Sequence, residues 1–184
     1  MRVLAGELKG RPLVTPRGRT TRPTADQVRI ACLDTLMPCL ARGPFLDLFA
    51  GAGTVGIEAL SRGAPSAVFV EQEARALRAL RENLERLDLL ARARVVRDDA
   101  ARAVDALAAR GSRFAVVFLD PPYESPRSAA ALERVAAGGC LLPDAVVVLQ
   151  HASKAPPPAA PGVLRAWKAR KFGETTLTFF RARA

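Results

Sequence analysis

The tetrapeptide Asp120-Pro121-Pro122-Tyr123 follows directly on the apolar run Phe114–Leu119. That run is short, β-branched and aromatic, and it predicts a buried strand. Neither proline can donate to a ladder, so the chain must leave the sheet there. The exit presents the Asp120 carboxylate at the carboxyl edge of a sheet, where open α/β folds bind ligands. Pro121 contributes a carbonyl acceptor with no competing N–H, and Asp120 adds acceptor oxygens. Tyr123 adds a flat face. Acceptors beside a flat face suit the amino group of a nucleobase. The bland alternative is a plain strand exit with a helix-capping aspartate.

A second group of residues lies upstream. Residues 45–56 read Phe-Leu-Asp-Leu-Phe-Ala-Gly-Ala-Gly-Thr-Val-Gly. An apolar strand runs into a loop of small residues, and a helix is predicted from Thr54. Gly51 and Gly53 let backbone approach a ligand closely and take positive φ without penalty. A second strand, Ala67–Val70, ends in Glu71, whose carboxylate can accept ribose hydroxyls. A third ends in Asp98-Asp99. Gly51 to Gly56 fits the dinucleotide pattern G-x-G-x-x-G, with Glu71 twenty residues after Gly51. That pattern alone would suit a nicotinamide enzyme. Asp47 ahead of the glycines, and Asp-Pro-Pro-Tyr after the fourth strand, favour S-adenosylmethionine instead.

These motifs resemble those of class I S-adenosylmethionine-dependent methyltransferases, which carry D-x-F-A-G-x-G after strand one and [D/N]-P-P-[Y/F] after strand four. The second motif belongs to the amino-methylating branch. The chain is most similar to the RsmD-type bacterial small-subunit rRNA guanine-N(2) methyltransferases. Matching segments are Arg2 to Gly6, Lys9 to Leu13, Pro16-x-Gly18, Thr21 to Arg29 and, almost verbatim, Asp47 to Ala64. The resemblance spans essentially the whole chain. It implies a Rossmann-like α/β fold: a doubly wound, mostly parallel seven-stranded sheet with a C-terminal antiparallel hairpin and a short N-terminal basic arm or hairpin. It implies transfer of a methyl group to the 2-amino group of a guanosine in 16S rRNA, within an assembled or partly assembled small ribosomal subunit. Asp120, Pro121, Pro122 and Tyr123 are then the catalytic set. Asp47, Gly51 and Gly53 would serve the methionine end of the cofactor, Glu71 the ribose and Asp99 the adenine amine, with Asp98 as fallback; Phe49 is also implied in the cofactor site. Arg11, Arg22, Pro23 and Thr24 match the amino-terminal pattern and are the candidates for RNA contact. An acid is expected just after the fifth strand in such proteins, and Gln150-His151 stands there instead.

Composition agrees with a polyanion partner. The net charge is +10, unevenly placed. Residues 1–22 carry +5 and residues 150–184 carry +6, while the 127 residues between them carry −1. The arginines at the ends alternate with glycine and proline and not with helix-pairing acids, so RNA attraction is favoured over a merely solubilising surface. The N-terminal arm holds few apolar residues and is expected to contribute more to that attraction than to the core. Cys32, Cys39 and Cys140 lack metal-ligand spacing and read as reduced core thiols; His151 is the only histidine. No metal is expected. No apolar run approaches the ~18 residues of a membrane span, and the start lacks a hydrophobic signal core, which predicts a cytoplasmic protein.

From Phe45 onward strands and helices alternate, the mark of a parallel doubly wound sheet. Helices are expected near 54–62, 73–88, 100–110 and 127–137, with strands near 45–49, 67–70, 93–97, 114–119 and 145–149. Thr24 is expected to cap a helix whose stripe is Val28, Cys32, Leu33, Leu36 and Leu40. Residues 155–162 read as a proline-rich linker, followed by a two-stranded tail around Phe172-Gly173-Glu174. The expected division is an arm over 1–24 and a methyltransferase domain over 25–184, monomeric. Three other readings stay open: an adenine-N(6) methyltransferase, a nicotinamide-dependent reductase, and a non-catalytic RNA-binding assembly protein.

Overall fold

The computed structural model describes residues 1–16, 23–122, 126–155 and 162–183, with the side chains of 23–24 and 126–128 excepted. Seven strands form one sheet: β1 (Phe45–Leu48), β2 (Ala67–Val70), β3 (Ala93–Val96), β4 (Phe114–Leu119), β5 (Leu141–Ala152), β6 (Leu164–Phe172) and β7 (Thr175–Ala182). Their order is β3-β2-β1-β4-β5-β7-β6. The first five are parallel, and β7 runs antiparallel between β5 and β6. The helices are α1 (Pro23–Leu40), α2 (Thr54–Ser61), α3 (Ala74–Arg86), α4 (Ala100–Ala109) and α5 (Pro126–Ala136).

Side-chain alternation along buried strands sends successive residues to opposite faces. Phe45, Phe69, Phe118, Val148 and Phe179 pack with α1, α2 and α3. Leu46, Leu48, Val117, Leu119, Val147 and Phe180 pack with α4 and α5. Asp47 shares the face of Phe45, so its carboxyl enters an apolar layer. The amphipathic α3 shows why this alternation is stable: Leu77, Leu80 and Leu84 are buried, while Arg75, Arg78 and Arg81 face solvent.

The predicted strands and helices appear within a few residues of the expected bounds, and the sheet is that expected of a class I methyltransferase. Two boundaries differ. The helix α1 opens at Pro23, so Thr24 lies inside it and does not cap it. A proline at the first helical position has its φ preset and lacks an N–H that would be orphaned anyway. Strand β5 is longer than its buried stretch, because its far end pairs with β7 through Gln150, His151 and Ala152. Residues 156–161 of the expected linker lie outside the described residues, as do 17–22 of the arm.

The N-terminal segment corrects one expectation. Val3 and Leu13 are buried in the core, and residues 1–13 fold back on themselves through Val3 N–H to Arg11 O (3.0 Å) and Leu13 N–H to Met1 O (2.9 Å). The hairpin is bonded to α2 and α3. Leu4 and Ala5 N–H both donate to Glu58 at 2.8 Å, and Leu8 N–H donates to Ser61 Oγ at 2.9 Å. Val14 N–H donates to Asn83 Oδ1 at 2.7 Å, and Asn83 Nδ2 returns to Val14 O at 2.9 Å. Main-chain groups make these ties, so side-chain composition understated the arm's share of the core. Gly6 is required at its position. Its φ is +82°, and a Cβ there would stand 1.9 Å from Ser61 O.

Candidate active site

Val96, Val70, Leu48 and Leu119 lie in one register row across β3, β2, β1 and β4. The residues that follow them are Arg97, Glu71, Phe49 and Asp120. Among the described residues, Glu71, Phe49 and Asp120 therefore gather at one sheet edge, the carboxyl edge, with Asp98 and Asp99 just beyond Arg97. Three inter-strand steps separate β3 from β4, about 14 Å. That is room for an extended nucleoside with an amino-acid tail.

The β1 loop is held from below and from the side. Asp47 is 2% exposed and accepts Gly56 N–H at 2.9 Å. Burial pushes its carboxyl up to about 8, the Gly56 N–H lowers it, and the negative charges of Asp120 and Glu71 add to the rise. Phe49 holds a left-handed backbone, φ 65°, which costs a non-glycine residue of order 1–3 kcal/mol. Gly51 N–H donates to Glu71 Oε2 at 2.7 Å. Gly53 departs from a purely ligand-facing role: a Cβ there would meet Leu80 Cδ1 at 2.4 Å, so its missing side chain also lets α3 close on the loop. Asn83 Nδ2 donates to Ala52 O at 3.0 Å. The same asparagine bonds Val14, so the N-terminal segment is clamped to the lip of this loop.

Glu71 accepts Gly51 N–H through one oxygen, and Gln72 and Glu73 N–H, both at 2.8 Å, through the other. A carboxylate offers roughly four acceptor positions, so capacity for a hydroxyl remains. Asp99 caps α4 through Oδ1, which accepts Ala101 and Arg102 N–H. Its neighbour Asp98 pairs with Arg102 at 2.8 Å. This guanidinium and the Asp99 N–H lower the Asp98 carboxyl below its ordinary value. Asp98 is thus engaged by Arg102, and Asp99 has the second carboxylate oxygen to offer an amine. These acceptors fit a ribose and an adenine amine, and the loop leaves main-chain groups for a methionine tail.

Asp120 is half-buried, Pro121 buried and Pro122 exposed; Tyr123 lies outside the described residues. Among the RNA candidates, Arg11 is exposed and donates through Nη2 to Arg86 O at 3.1 Å. Arg22 and the side chains of Pro23 and Thr24 lie outside the described residues. His151 bonds Thr178 Oγ1 through Nε2 at 2.8 Å and contacts Ala152 and Ala155 carbonyls at 3.0 Å through Nδ1, a tie between β5 and β7. The three cysteines are buried, and burial raises the thiols of Cys32 and Cys140, the latter to about 11.

Sequence reasoning passed over Arg29, Glu58, Ser61 and Asn83, all buried and polar. The available signal was an acid inside an apolar helical run, Ile57-Glu58-Ala59-Leu60. Two surface hollows, of about 270 and 350 Å³, flank α3 between arginines; their linings include neither Asp47, Glu71 nor Asp120.

Asp47 makes stability depend on pH. Its ordinary carboxyl value is 3.8, and the folded value is about 8. A raised folded value means that the native state binds the proton more tightly. The contribution is full below about 4 and is lost as pH rises towards 8. Thermal stability should therefore decline across that window by on the order of a few kcal/mol. Asp47→Asn, which keeps an oxygen for Gly56 N–H, should flatten that decline. Melting curves from pH 4 to 8 test it, and an unchanged slope in the variant would contradict it.

A seven-stranded sheet in this order, with a glycine loop after β1 and Asp-Pro-Pro after β4, defines the class I methyltransferase fold. Comparison with known families narrows this. The chain belongs to the family described as conserved hypothetical protein 95, that of the RsmD-type methyltransferases, which matches residues 1–181. It is 37% identical over 183 residues to the Bacillus subtilis protein named "Putative rRNA methyltransferase YlbH", covering 100% of both chains. It is 37% identical over 123 residues to the Escherichia coli ribosomal RNA small subunit methyltransferase D, covering 67% of this chain and 60% of that one. The solved structure of the Thermus thermophilus hypothetical protein TTHA0928 matches with TM-score 0.83 and 34% identity over 100% of this chain and 99% of that one. In fold alone, at 12% identity and TM-score 0.69, the chain resembles SMU.776 complexed with SAH, covering 88% of this chain and 50% of that one.

Proposed function

We propose that this protein transfers a methyl group from S-adenosylmethionine to the exocyclic 2-amino group of a guanosine in small-subunit rRNA. The observation that carries the reading is the row of acceptors along the carboxyl edge, ending in Asp120 and the Pro121 carbonyl beside the glycine loop. Relatives bearing the name of rRNA methyltransferase support the substrate class.

S-adenosylmethionine supplies, when bound, an electrophilic methyl group on a sulfonium. Glu71 would hold its ribose and Asp99 its adenine amine. The loop from Phe49 to Gly53, with Asp47 beneath it, would take the methionine end. The exocyclic amine of guanine is a poor nucleophile because its lone pair is delocalised into the ring. Asp120 and the Pro121 carbonyl accept its hydrogens, which favours a pyramidal nitrogen with the lone pair free for in-line attack. Much of the gain is positioning. On receiving the methyl group, the amine would give up a proton to Asp120 or to solvent. Tyr123 stacks on the target base once it is turned out of its helix. Arg11, Arg22, Pro23 and Thr24 contact the RNA, and the protein acts as a cytoplasmic monomer on an assembled or partly assembled small subunit.

The test is labelled methyl transfer from S-adenosylmethionine to small subunits lacking the modification, free rRNA and duplex DNA in parallel. Label in rRNA supports the reading. Label in DNA alone would hand the case to an adenine methyltransferase, and stabilisation by NADH in place of the methyl donor would hand it to a reductase.

A further inference from the structure

The chain contains a single tryptophan, Trp167, and it is 45% exposed. It stands on β6, the outermost strand of the sheet. The ladder between β6 and β7 shifts register at this residue: Ala166 pairs with Phe180 and Lys168 with Phe179. Trp167 is thus the extra residue of a β-bulge, a device that re-aims a side chain at an edge. Its ring leans on Phe179, with centroids 6.0 Å apart and planes at 59°. Half of a large, stiff, electron-rich ring is therefore held in place while the rest meets water.

The surroundings say what such a ring is for. Lys168 Nζ lies 5.7 Å from the ring centroid and Arg181 Cζ 5.1 Å. Cross-strand partners share a face of the sheet. Arg165, paired with Arg181, and Arg170, paired with Leu177, therefore share the face of Phe179. None of Arg165, Lys168 and Arg181 is within 4.0 Å of a carboxylate among the described residues, and the one acid in residues 150–184 is Glu174, in the turn after β6. An exposed aromatic ring among cations that meet no carboxylate of the described residues matches a single-stranded nucleic acid: a base for the ring and phosphates for the cations. An apolar protein partner would leave those charges buried without partners.

We propose that Trp167 is a stacking platform for an unpaired base of the RNA, with Arg165, Lys168 and Arg181 gripping the flanking phosphates. This is a further RNA contact, on the C-terminal hairpin, apart from the base that reacts at Asp120 and from the contacts proposed for the N-terminal segment. It rests on the reading of the protein as an RNA methyltransferase, and it adds a site to it.

Because Trp167 is the only tryptophan, its fluorescence reports on this surface alone. The intact protein should be titrated with a single-stranded RNA oligonucleotide. Saturable quenching that weakens with salt is expected. Trp167→Ala should bind the oligonucleotide roughly tenfold more weakly, by filter retention. Trp167→Phe keeps an aromatic face and should retain most of the affinity. Trp167→Ala gives up its contact with Phe179 and should lower the melting temperature by only a few degrees, with cofactor binding unchanged in both variants, which separates loss of a platform from loss of the fold. RNA binding without quenching, or wild-type affinity in Trp167→Ala, would overturn the proposal. So would quenching that depends on protein concentration without RNA, which would make β6 an edge for a second copy. Quenching by RNA in a protein that methylates no RNA would keep the platform and sink the methyltransferase reading. Methyl transfer without quenching would do the reverse.

Discussion

Asp120→Ala is expected to lower methyl transfer at saturating substrates by ~10²-fold or more, the usual loss for a positioned acceptor or general base. Cofactor affinity should stay nearly intact. The separation follows from the order of the sheet. Asp120 follows β4, whereas Glu71 and Asp99 follow β2 and β3 on the other side of the glycine loop. The carboxylate proposed to face the amine is therefore not among those proposed for ribose and adenine. Asp120→Asn refines the result: it keeps an acceptor oxygen and removes the base, so partial activity would assign the residue to orientation. Turnover near that of the intact protein in Asp120→Ala would remove it from the chemistry.

The second large effect is on stability, at a buried acid of α2. Glu58 is 0% exposed. It accepts Leu4 and Ala5 N–H, and it pairs with Arg62 at 3.2 Å and Arg29 at 3.8 Å. Glu58→Ala would leave two buried cations short of a counter-charge and two main-chain donors unsatisfied. Breaking a buried pair from one side costs about 3–5 kcal/mol, and for a chain of this size that lowers Tm by about 10 °C. Burial also lowers the Arg29 guanidinium, with Glu58 the main opposing influence. Loss of amide protection at Leu4 and Ala5 should accompany the fall, because the hairpin loses its anchor on α2. A change below about 1 kcal/mol in urea unfolding would mean that the buried cluster contributes little, as some such clusters do.

These two residues differ in how legible they were. Asp120 could be read because a strand and two prolines fix its place by local rules. The parallel sheet followed from alternation, and the carboxyl-edge site from which residue ended each strand. Glu58 could not be read in the same way. Its partners lie 54 and 53 residues away, at Leu4 and Ala5, and they are main-chain groups with no sequence signature. Asn83 is similar: it joins Val14 to Ala52, two segments that no periodicity connects. The arm was judged by its side-chain charge, whereas its own main-chain N–H groups make most of the bonds that hold it. The bulge at Trp167 was hidden because strand alternation predicts two faces and no extra residue. The left-handed turn at Phe49 was hidden because a phenylalanine gives no hint of positive φ. Local order was readable; side-chain contacts between segments distant in sequence, and local departures from regular geometry, were not.

The most direct test of the central claim is nucleoside mass spectrometry of small subunits treated with the protein and S-adenosylmethionine. Subunits that lack the modification should gain one methyl group, recovered as N(2)-methylguanosine after nuclease digestion. Methyladenosine, a methyl on a ribose or ring carbon, or no incorporation into rRNA with the cofactor bound, would contradict the account.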